Sequence, residues 1–402
     1  MQAKHRFSGR AHYACAFVGL LSIAPCAQAD LFDRYGDAFR NVTTPATGAG
    51  SFGVSVDAMS DGRLIATTGF NILLETDVGS NDYQIAATID ATLLADPVDP
   101  GFIVVSPAGS RIAIGAGFGK PVIVFDASLL NTARPTTLTP SNASAFPVMH
   151  FAAAWLDESS LAITGGVFGQ PSFVTLLDTT SDPMSSDNPV IIDNIDGASG
   201  GIVIDNDGAI YTSNGFDNSP STPGTSDTGW IKRFTSADWS SGADFENDGL
   251  FVADLLSANT LAMDRDGALA VGGGDFSEGD VGTIAVIHTE ALTALIQSGA
   301  PIDTDDTAHV KRLDPLGSGA AFYNAIFNPG TDEFLITESA GWFATSGRRV
   351  GDLDGDDVVD GDDVAALLGR FASDDVFADL NHDGIVDGAD LAALLANWGD
   401  SR

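Results

Sequence analysis

The stretch Gly53–Gly69, GVSVDAMSDGRLIATTG, contains two short runs of alternating apolar residues joined by a tight polar turn at Asp61-Gly62. Alternation of apolar and polar residues is typical of β-strands. Asp-Gly is a pair that tolerates the backbone angles of a tight turn. The stretch therefore predicts a β-hairpin, and its recurrence along the chain decides the fold.

The same pattern recurs five times. The later copies are FIVVSPAGSRIAIGAG, FAAAWLDESSLAITGG, GIVIDNDGAIYTSNG, NTLAMDRDGALAVGGG and FYNAIFNPGTDEFLITES. The second strand of each unit begins its apolar run at Leu64, Ile112, Leu161, Ile210, Leu269 and Phe334, so the units lie 48, 49, 49, 59 and 65 residues apart. A fixed period of this length is the signature of a repeat architecture.

Each unit continues beyond its hairpin. Most have a third apolar run, such as NILLETD, KPVIVFDAS or GTIAVIHTEAL, and several have a fourth, such as YQIAATID, NPVIIDNI or LFVADLL. Four strands per unit predict the blade of a β-propeller. The sixth unit offers GWFATS as a third strand, and we expect the segment DAFRNVTT, residues 37–44, to supply its fourth. The sequence thus predicts a mainly β fold with six blades, or seven if one unit is degenerate.

The turn SPAGSRIAIGAG followed by KPVIVFD resembles the strand, turn and strand pattern of the YVTN-like and WD-type propeller families. The resemblance covers roughly residues 30–346. It implies an architecture and no particular activity, because one propeller fold carries many functions.

The chain is strongly acidic. It has 402 residues, with 55 Asp plus Glu against 18 Lys plus Arg and a net charge of −37. Such a charge repels nucleic acid and anionic membrane surfaces and favours divalent cations. The apolar fraction of 44% is enough to bury a sizeable core.

The N-terminus has the pattern of an export signal. Lys4, Arg6 and Arg10 precede the apolar run YACAFVGLLSIAPCA, and AQA supplies small residues before Asp30. We expect a leader over residues 1–29 and a secreted mature chain. Both cysteines, Cys15 and Cys26, lie in this leader, so the mature chain would have no disulfide. Lipid attachment at Cys26 is an alternative that the preceding Pro25 disfavours.

The predicted propeller contains few groups that suggest chemistry. GASGG, residues 197–201, matches a nucleophile-elbow pattern around Ser199, but a strand rather than a helix follows it. Four histidines follow the leader, His150, His288, His309 and His382, and none is paired at a metal-ligand spacing. His150 alone precedes a predicted inner strand, where a side chain can face the central channel. Paired carboxylates could hydrolyse glycosidic bonds, but the sequence does not select a pair.

Three turn aspartates, Asp61, Asp207 and Asp266, are each followed by glycine and are expected to shape turns rather than to catalyse. The segment DFENDG, residues 244–249, matches the start of a calcium loop. Val252 and Leu255 then stand where oxygen ligands should follow, so we do not expect calcium there.

Two acidic loops near the C-terminus are the strongest candidates for a site. Calcium prefers six to eight oxygen ligands, and a twelve-residue loop supplies them from positions 1, 3, 5, 7, 9 and 12, position 7 through its carbonyl. DLNHDGIVDGAD fits this register with Asp379, Asn381, Asp383, Ile385, Asp387 and Asp390. Twenty-seven residues earlier, DLDGDDVVDGDD fits it with Asp352, Asp354, Asp356, Val358, Asp360 and Asp363. The sequence therefore predicts two calcium ions.

Each loop leads directly into a helix pattern. The first predicted stripe contains Val364, Leu367, Leu368 and Phe371, and the second contains Leu391, Leu394, Leu395 and Trp398. Spacings of three, four and seven residues indicate one apolar face per helix. We expect the two stripes to pack against each other, with folding coupled to metal binding.

The tandem loop-helix units, about residues 351–399, resemble the dockerin domains of type I. The resemblance implies that the loop residues are calcium ligands and that the module binds a cohesin-type partner. Positions 10 and 11, often Ser-Thr in cellulosomal members, are here Gly361-Asp362 and Gly388-Ala389. The predicted organisation is a leader over 1–29, a propeller over 30–346, a linker over 347–350 and a dockerin module over 351–402.

We therefore expect a secreted or cell-surface protein that docks through a calcium-dependent module while its propeller binds an extracellular polymer such as a polysaccharide. Two alternatives stay open at this point. The propeller could carry a glycoside hydrolase or polysaccharide lyase, as dockerin-bearing proteins often do, or it could be a structural or protein-binding surface component.

Overall fold

The computed structural model describes residues 39–42, 55–90, 101–115, 121–139, 142–144, 149–167, 170–181, 189–196, 200–214, 228–256, 258–273, 283–313, 322–338, 341–345, 351–353, 358–373, 378–380 and 385–399. The predicted leader and the predicted linker lie outside these residues. Six sheets form six blades, each with four antiparallel strands, which confirms the six-bladed prediction.

The first three blades follow the predicted order of strands. Blade 1 comprises β2 (Val56–Ala58), β3 (Leu64–Thr68), β4 (Asn71–Glu75) and β5 (Tyr83–Ile89). Blade 2 comprises β6 (Phe102–Val105), β7 (Arg111–Gly115), β8 (Val122–Asp126) and β10 (Asn142–Ser144). Blade 3 comprises β11 (Met149–Trp155), β12 (Ser160–Gly166), β13 (Ser172–Asp178) and β14 (Val190–Ile195).

Blades 4 and 5 contain long connections between their strands, whereas those of blade 6 are short. Blade 4 comprises β15 (Ile202–Ile204), β16 (Ile210–Ser213), β17 (Thr228–Phe234) and β19 (Leu250–Leu256). Blade 5 comprises β20 (Ala258–Met263), β21 (Leu269–Gly273), β22 (Thr283–Ile287) and β23 (Val310–Leu313). Blade 6 comprises β24 (Phe322–Asn328), β25 (Glu333–Glu338), β26 (Gly341–Thr345) and the first strand of the chain, β1 (Phe39–Val42).

Blade 6 is completed from the N-terminal side, as predicted. β1 pairs antiparallel with β26, with Phe39 opposite Thr345 and Val42 opposite Trp342. The ring is thus closed by hydrogen bonds between distant parts of the chain, which removes the exposed sheet edge that an open array would leave.

The core lies in the six seams between neighbouring blades. Alternate residues of each second strand face opposite neighbours, because side chains alternate across a sheet. Ile65 packs with Ile112 and Ile114 of blade 2, whereas Leu64 and Ala66 pack with Leu335 and Trp342 of blade 6. The other four seams have similar clusters, so the apolar packing runs around the whole ring.

Three connections between third and fourth strands cover the outer edge of the preceding blade. After a 3₁₀ turn over 127–129, β9 (Thr136–Leu138) pairs parallel with β5 of blade 1. After α1 (Ser236–Ser240), β18 (Ala243–Asp244) pairs parallel with β14 of blade 3. Beyond α2 (Thr289–Ser298), Ile302 N donates to Val252 O of blade 4 at 2.8 Å.

The blade 5 connection corrects one prediction. Sequence alternation predicts one strand for the run GTIAVIHTEAL, but β22 ends at Ile287 and His288 caps the N-terminus of α2. The imidazole Nδ1 accepts from Glu290 N at 3.1 Å, and Gly299, with φ of 72°, ends the helix. The capping side chain marks the start of the helix and the left-handed glycine marks its end. The strand-like alternation of the sequence does not reveal this helix.

Two further helices lie near the C-terminus, α3 (Gly361–Gly369) and α4 (Gly388–Ala396). Both begin with a capping box, in which the carboxylates of the N-cap and N3 residues each accept from the other residue's backbone N–H. They share a small apolar cluster of Leu353, Val359, Leu367, Ala378, Val386 and Leu394. None of the described helices has the length and hydropathy needed to cross a bilayer.

Candidate functional site

The two C-terminal loops are described in part. Positions 1, 7, 9 and 12 are described in both, as Asp352, Val358, Asp360 and Asp363, and as Asp379, Ile385, Asp387 and Asp390. The ligands predicted at positions 3 and 5, Asp354, Asp356, Asn381 and Asp383, lie outside the described residues. Among the residues that are described, no three acidic, histidine or cysteine side chains converge as a metal cluster.

The position 9 and position 12 carboxylates are used by the backbone in the same way in both loops. Asp360 Oδ1 accepts from Asp362 N at 2.9 Å, and Asp363 Oδ2 accepts from Asp360 N at 2.7 Å. In the second loop, Asp387 Oδ1 accepts from Ala389 N at 2.7 Å. Position 9 therefore caps the helix, and in calcium loops this position often contributes to the cation through water.

The described donors fit calcium. Asp352, Asp363, Asp379 and Asp390 are all nearly fully buried. Backbone N–H groups reach the position 12 carboxylates, with Leu353 N donating to Asp363 Oδ1 at 2.5 Å, but these contacts do not neutralise a charge. A buried carboxylate pair in each loop is unfavourable without a compensating cation. Hard oxygen donors with a carbonyl at position 7 are what calcium prefers.

The apolar stripes of the two helices are divided between core and surface, which corrects the predicted stripe-to-stripe packing. Leu367 and Leu394 are buried in the shared cluster, with Val364 and Leu391 beside them. Leu368, Phe371, Leu395 and Trp398 are instead between 48% and 53% exposed. Consecutive residues of a helix point about 100° apart. Leu368 and Leu395, next to the buried Leu367 and Leu394, therefore face away from the core.

The segment DFENDG in blade 4 binds the ammonium group of Lys232. Lys232 Nζ donates to the carbonyl oxygens of Phe245 at 2.6 Å, Glu246 at 3.1 Å and Asp248 at 2.9 Å. The ring of Trp230 lies 5.8 Å from this ammonium group. Burial lowers the pKa of Lys232, and the acidic residues around it oppose that shift. The ammonium group thus takes the carbonyl contacts that a metal ion would use.

The first strands begin and the second strands end at one end of the propeller, which we call the channel end; the first-to-second-strand turns lie at the opposite turn end. Hydroxyl and amide groups border the described channel end, namely Ser55, Thr67, Thr164, Thr260, Ser213, Asn214, Asn259, Asn324 and Thr337. Asn324 Nδ2 donates to Val56 O at 2.8 Å across the seam that closes the ring. Nearly all of these groups are buried, so they serve contacts within the ring rather than an open ligand surface.

His150 lies at the channel end but packs into a seam. It is 5% exposed, and its ring meets that of Phe102 edge-on at 5.6 Å between centroids. A Cβ atom at Gly115 would lie 2.5 Å from His150 Cδ2, so the imidazole occupies space that only glycine leaves open. This packing favours the structural role over a ligand role.

Asp57, on the first strand of blade 1, is a titratable residue that sequence reasoning did not single out. Its Oδ2 accepts from Val105 N of blade 2 at 2.6 Å, and its Oδ1 accepts from Ala58 N at 2.8 Å. Burial raises the pKa of Asp57 to about 7 despite these two donors. The side chain is half-buried, and its carboxyl group links the inner strands of two blades, which accounts for these contacts without a catalytic role.

His288 and His309 are neighbours through their backbones, with His288 N donating to His309 O at 3.0 Å, but their imidazoles make separate contacts. His288 caps α2, and His309 Nδ1 lies 2.7 Å from Asp306 Oδ2. Ser199 and His382 lie outside the described residues. At the turn end, Asp205 and Asp264, rather than Asp207 and Asp266, accept the turn N–H groups, with Ala209 N at 2.9 Å and Ala268 N at 2.8 Å.

No protein-family model matches the chain, and no curated protein matches it in sequence. Among solved structures, a carbohydrate-active enzyme of family AA12 from Trichoderma reesei is similar with a TM-score of 0.52 and 12% identity, over 76% of this chain and 94% of that one. The PQQ domain of a pyranose dehydrogenase from Coprinopsis cinerea is similar with a TM-score of 0.50 and 13% identity, over 77% of this chain and 97% of that one. At these identities the likenesses show the β-propeller fold alone.

Proposed function

We propose that the chain is a secreted docking protein: its C-terminal module, of dockerin type, binds two calcium ions and a cohesin-type partner, and its propeller binds a neutral extracellular polysaccharide. The observation that carries the docking half is the repeated exposure of apolar side chains on α3 and α4 and in the turns that directly follow them. Leu368 and Leu395 are 27 positions apart, and so are Phe371 and Trp398. Both pairs are about half exposed.

Exposed large apolar groups at matching positions of two repeated units favour a protein partner. In each unit a half-exposed leucine of the helix is followed, three residues later, by a half-exposed aromatic residue just beyond the helix end. Exposed apolar groups of this kind are enriched at interface centres. The calcium loops at the N-termini of these helices would hold the two faces in place, since metal binding and folding are coupled in such loops.

Capture of a cohesin-type module by the intact protein tests the docking half. We expect capture in calcium and its loss in a chelator. The variant carrying both Leu368→Asp and Leu395→Asp should lose capture in calcium, whereas Ile296→Asp should retain it, because Ile296 is 46% exposed on α2, outside the module. Equal capture by both variants, or capture that ignores calcium, would reject the proposed surface.

The polysaccharide half is supported by the net charge of −37, which disfavours anionic polymers. Binding of the intact protein to a panel of neutral and acidic polysaccharides tests it. Retention on neutral members alone supports the proposal. Release of shortened products would instead support a glycoside hydrolase or lyase, and no binding to any member would support a structural or protein-binding role.

A further inference from the structure

One residue of each second strand lies at the channel end and faces the following blade. It is the third residue after the start of the apolar run, namely Thr67, Gly115, Thr164, Ser213, Gly272 and Thr337. The direction follows from strand alternation. Ile65 packs with blade 2, so Thr67 faces blade 2. Leu335 packs with blade 1, so Thr337 faces blade 1.

In blades 3 and 4 this hydroxyl crosses the seam directly. Thr164 Oγ1 donates to Gly200 O at 3.3 Å, and Ser213 Oγ donates to Ala258 O at 2.5 Å. Both acceptors are backbone carbonyls at or just before the first strand of the next blade. Each buried hydroxyl thus has a hydrogen-bond acceptor, and the bond links two neighbouring blades.

Thr67 and Thr337 occupy the same position in blades 1 and 6, but among the described residues their hydroxyl groups do not bond across the seam. Their side chains are 1% and 0% exposed. Within the described part of the chain, neither Oγ1 atom has a hydrogen-bond partner. Buried hydroxyl groups in folded proteins are almost always paired, either with protein atoms or with ordered water. The two threonines lie at the two seams that flank blade 1.

We propose that an ordered water molecule binds at each seam flanking blade 1, one to Thr67 Oγ1 and one to Thr337 Oγ1. Water is the ligand of the right size, since hydroxyls this deeply buried admit no larger molecule without movement of the protein. Each water would bridge a threonine hydroxyl to the facing strand. At Thr164 and Ser213 the hydroxyl reaches the facing strand without water.

A second polar space in the same closing seam supports hydration there. At the turn end, Glu75 and Asn81 of blade 1 and Asn328 and Glu333 of blade 6 line a cavity of about 10 Å³. That volume holds roughly one water molecule, and its polar lining supplies the partners that a buried water needs. The seam between blades 6 and 1 is therefore polar at both of its ends.

Isosteric replacement tests the proposal. Thr67→Val and Thr337→Val remove the hydroxyl and keep the shape, and Thr164→Val is the matched control with a known direct partner. If water binds, each of the two variants should lower the Tm by about 1–3 °C, in the range of the control. If no water binds, removing an unsatisfied hydroxyl should leave the Tm unchanged or raise it, which would overturn the proposal.

A crystal structure of the unaltered protein provides the measurement that does not depend on the variants. The proposal requires a solvent peak at hydrogen-bond distance from both Oγ1 atoms. Empty density at both, or direct contact of both hydroxyls with a backbone carbonyl, would reject it even where a valine variant fails to fold.

Discussion

The carboxyl group of Asp57 makes folding stability depend on pH. Because burial raises its pKa to about 7, the folded protein retains a proton that the unfolded chain releases near pH 4. The folded state binds more protons, so the free energy of unfolding falls as the pH rises from about 4 to about 7, and the stability is fully present only below that window.

We therefore predict that Asp57→Asn removes this slope. Relative to the unaltered protein, the variant should gain on the order of 2–4 kcal/mol between pH 5 and pH 8, measured by urea unfolding at several pH values. Asp207→Asn is the control, since it removes the same charge from a side chain that is 85% exposed. A stability difference for Asp57→Asn that does not change with pH would contradict the assignment.

Lys232 provides a second test at the scale of one residue. Its ammonium group satisfies three carbonyl oxygens of the blade 4 connection. Lys232→Met should lower the free energy of unfolding by about 2–4 kcal/mol, because buried carbonyls lose charged donors. Lys311→Met, on β23, should cost much less. Equal losses for the two variants would show that the carbonyl contacts contribute little.

The sequence predicts neither residue's role. Lys232 and the segment 244–248 are separated by a strand connection, and their contact depends on how β18 joins blade 3. Asp57 looks like any other strand residue until blade 2 places Val105 N beside it. Tertiary contacts between blades set both environments, and a single strand's pattern carries no information on them.

At the scale of elements, hairpin alternation predicts the blades well. All six residues chosen as starts of the second apolar run lie in second strands, because the turn and the two alternating runs are local features. β9 and β18 are not predicted, since each is a few residues long and pairs parallel with the preceding blade. The helix stripes are mispredicted at Leu368 and Leu395, where periodicity alone cannot tell core from exposed neighbour.

The turns at the closing seam lead to a prediction about glycine. Gly62 of blade 1 has φ of 84°, and a Cβ there would lie 2.5 Å from the Cα of Gly330 in blade 6. Gly208, in the matching turn of blade 4, has φ of 74° and nothing within 4 Å of its Cβ position. Both positions have a left-handed backbone that disfavours an L-residue. The difference in stability loss between the two alanine variants therefore measures the close approach of the two backbones at Gly62.

We expect Gly208→Ala to cost about 1 kcal/mol and Gly62→Ala to cost at least about 1–2 kcal/mol more, measured by chemical unfolding. The extra loss should appear because Gly330 must move for the new methyl group to fit. Similar losses in the two variants would mean that the seam between blades 6 and 1 has room to relax.

At the scale of the whole molecule, the ring depends on β1. It supplies the outer strand of blade 6 and hydrogen-bonds to β26. A chain that begins at residue 43 should leave the β26 edge unpaired, lower the Tm by several degrees and self-associate. Thermal unfolding and light scattering measure this against a chain that begins at residue 30. An unchanged Tm and a monodisperse protein would show that β1 does not close the ring.

The proposed calcium module would determine how the whole molecule is held in place. Its register and its helices are visible in the sequence because each loop is a local motif and occurs twice. The exposure of Leu368, Phe371, Leu395 and Trp398 is visible only in the structure. The identity of the partner depends on the surface of another protein, and this sequence carries no information about that surface.

Calorimetric titration of the intact protein with calcium, after removal of bound metal with a chelator, tests the central claim most directly. We predict two ions per chain, one with either Asp363→Asn or Asp390→Asn, and none with both changes. Each asparagine keeps an oxygen for the helix cap while removing the buried charge. No heat of binding, or a stoichiometry that the double variant leaves unchanged, would contradict a calcium-dependent docking module.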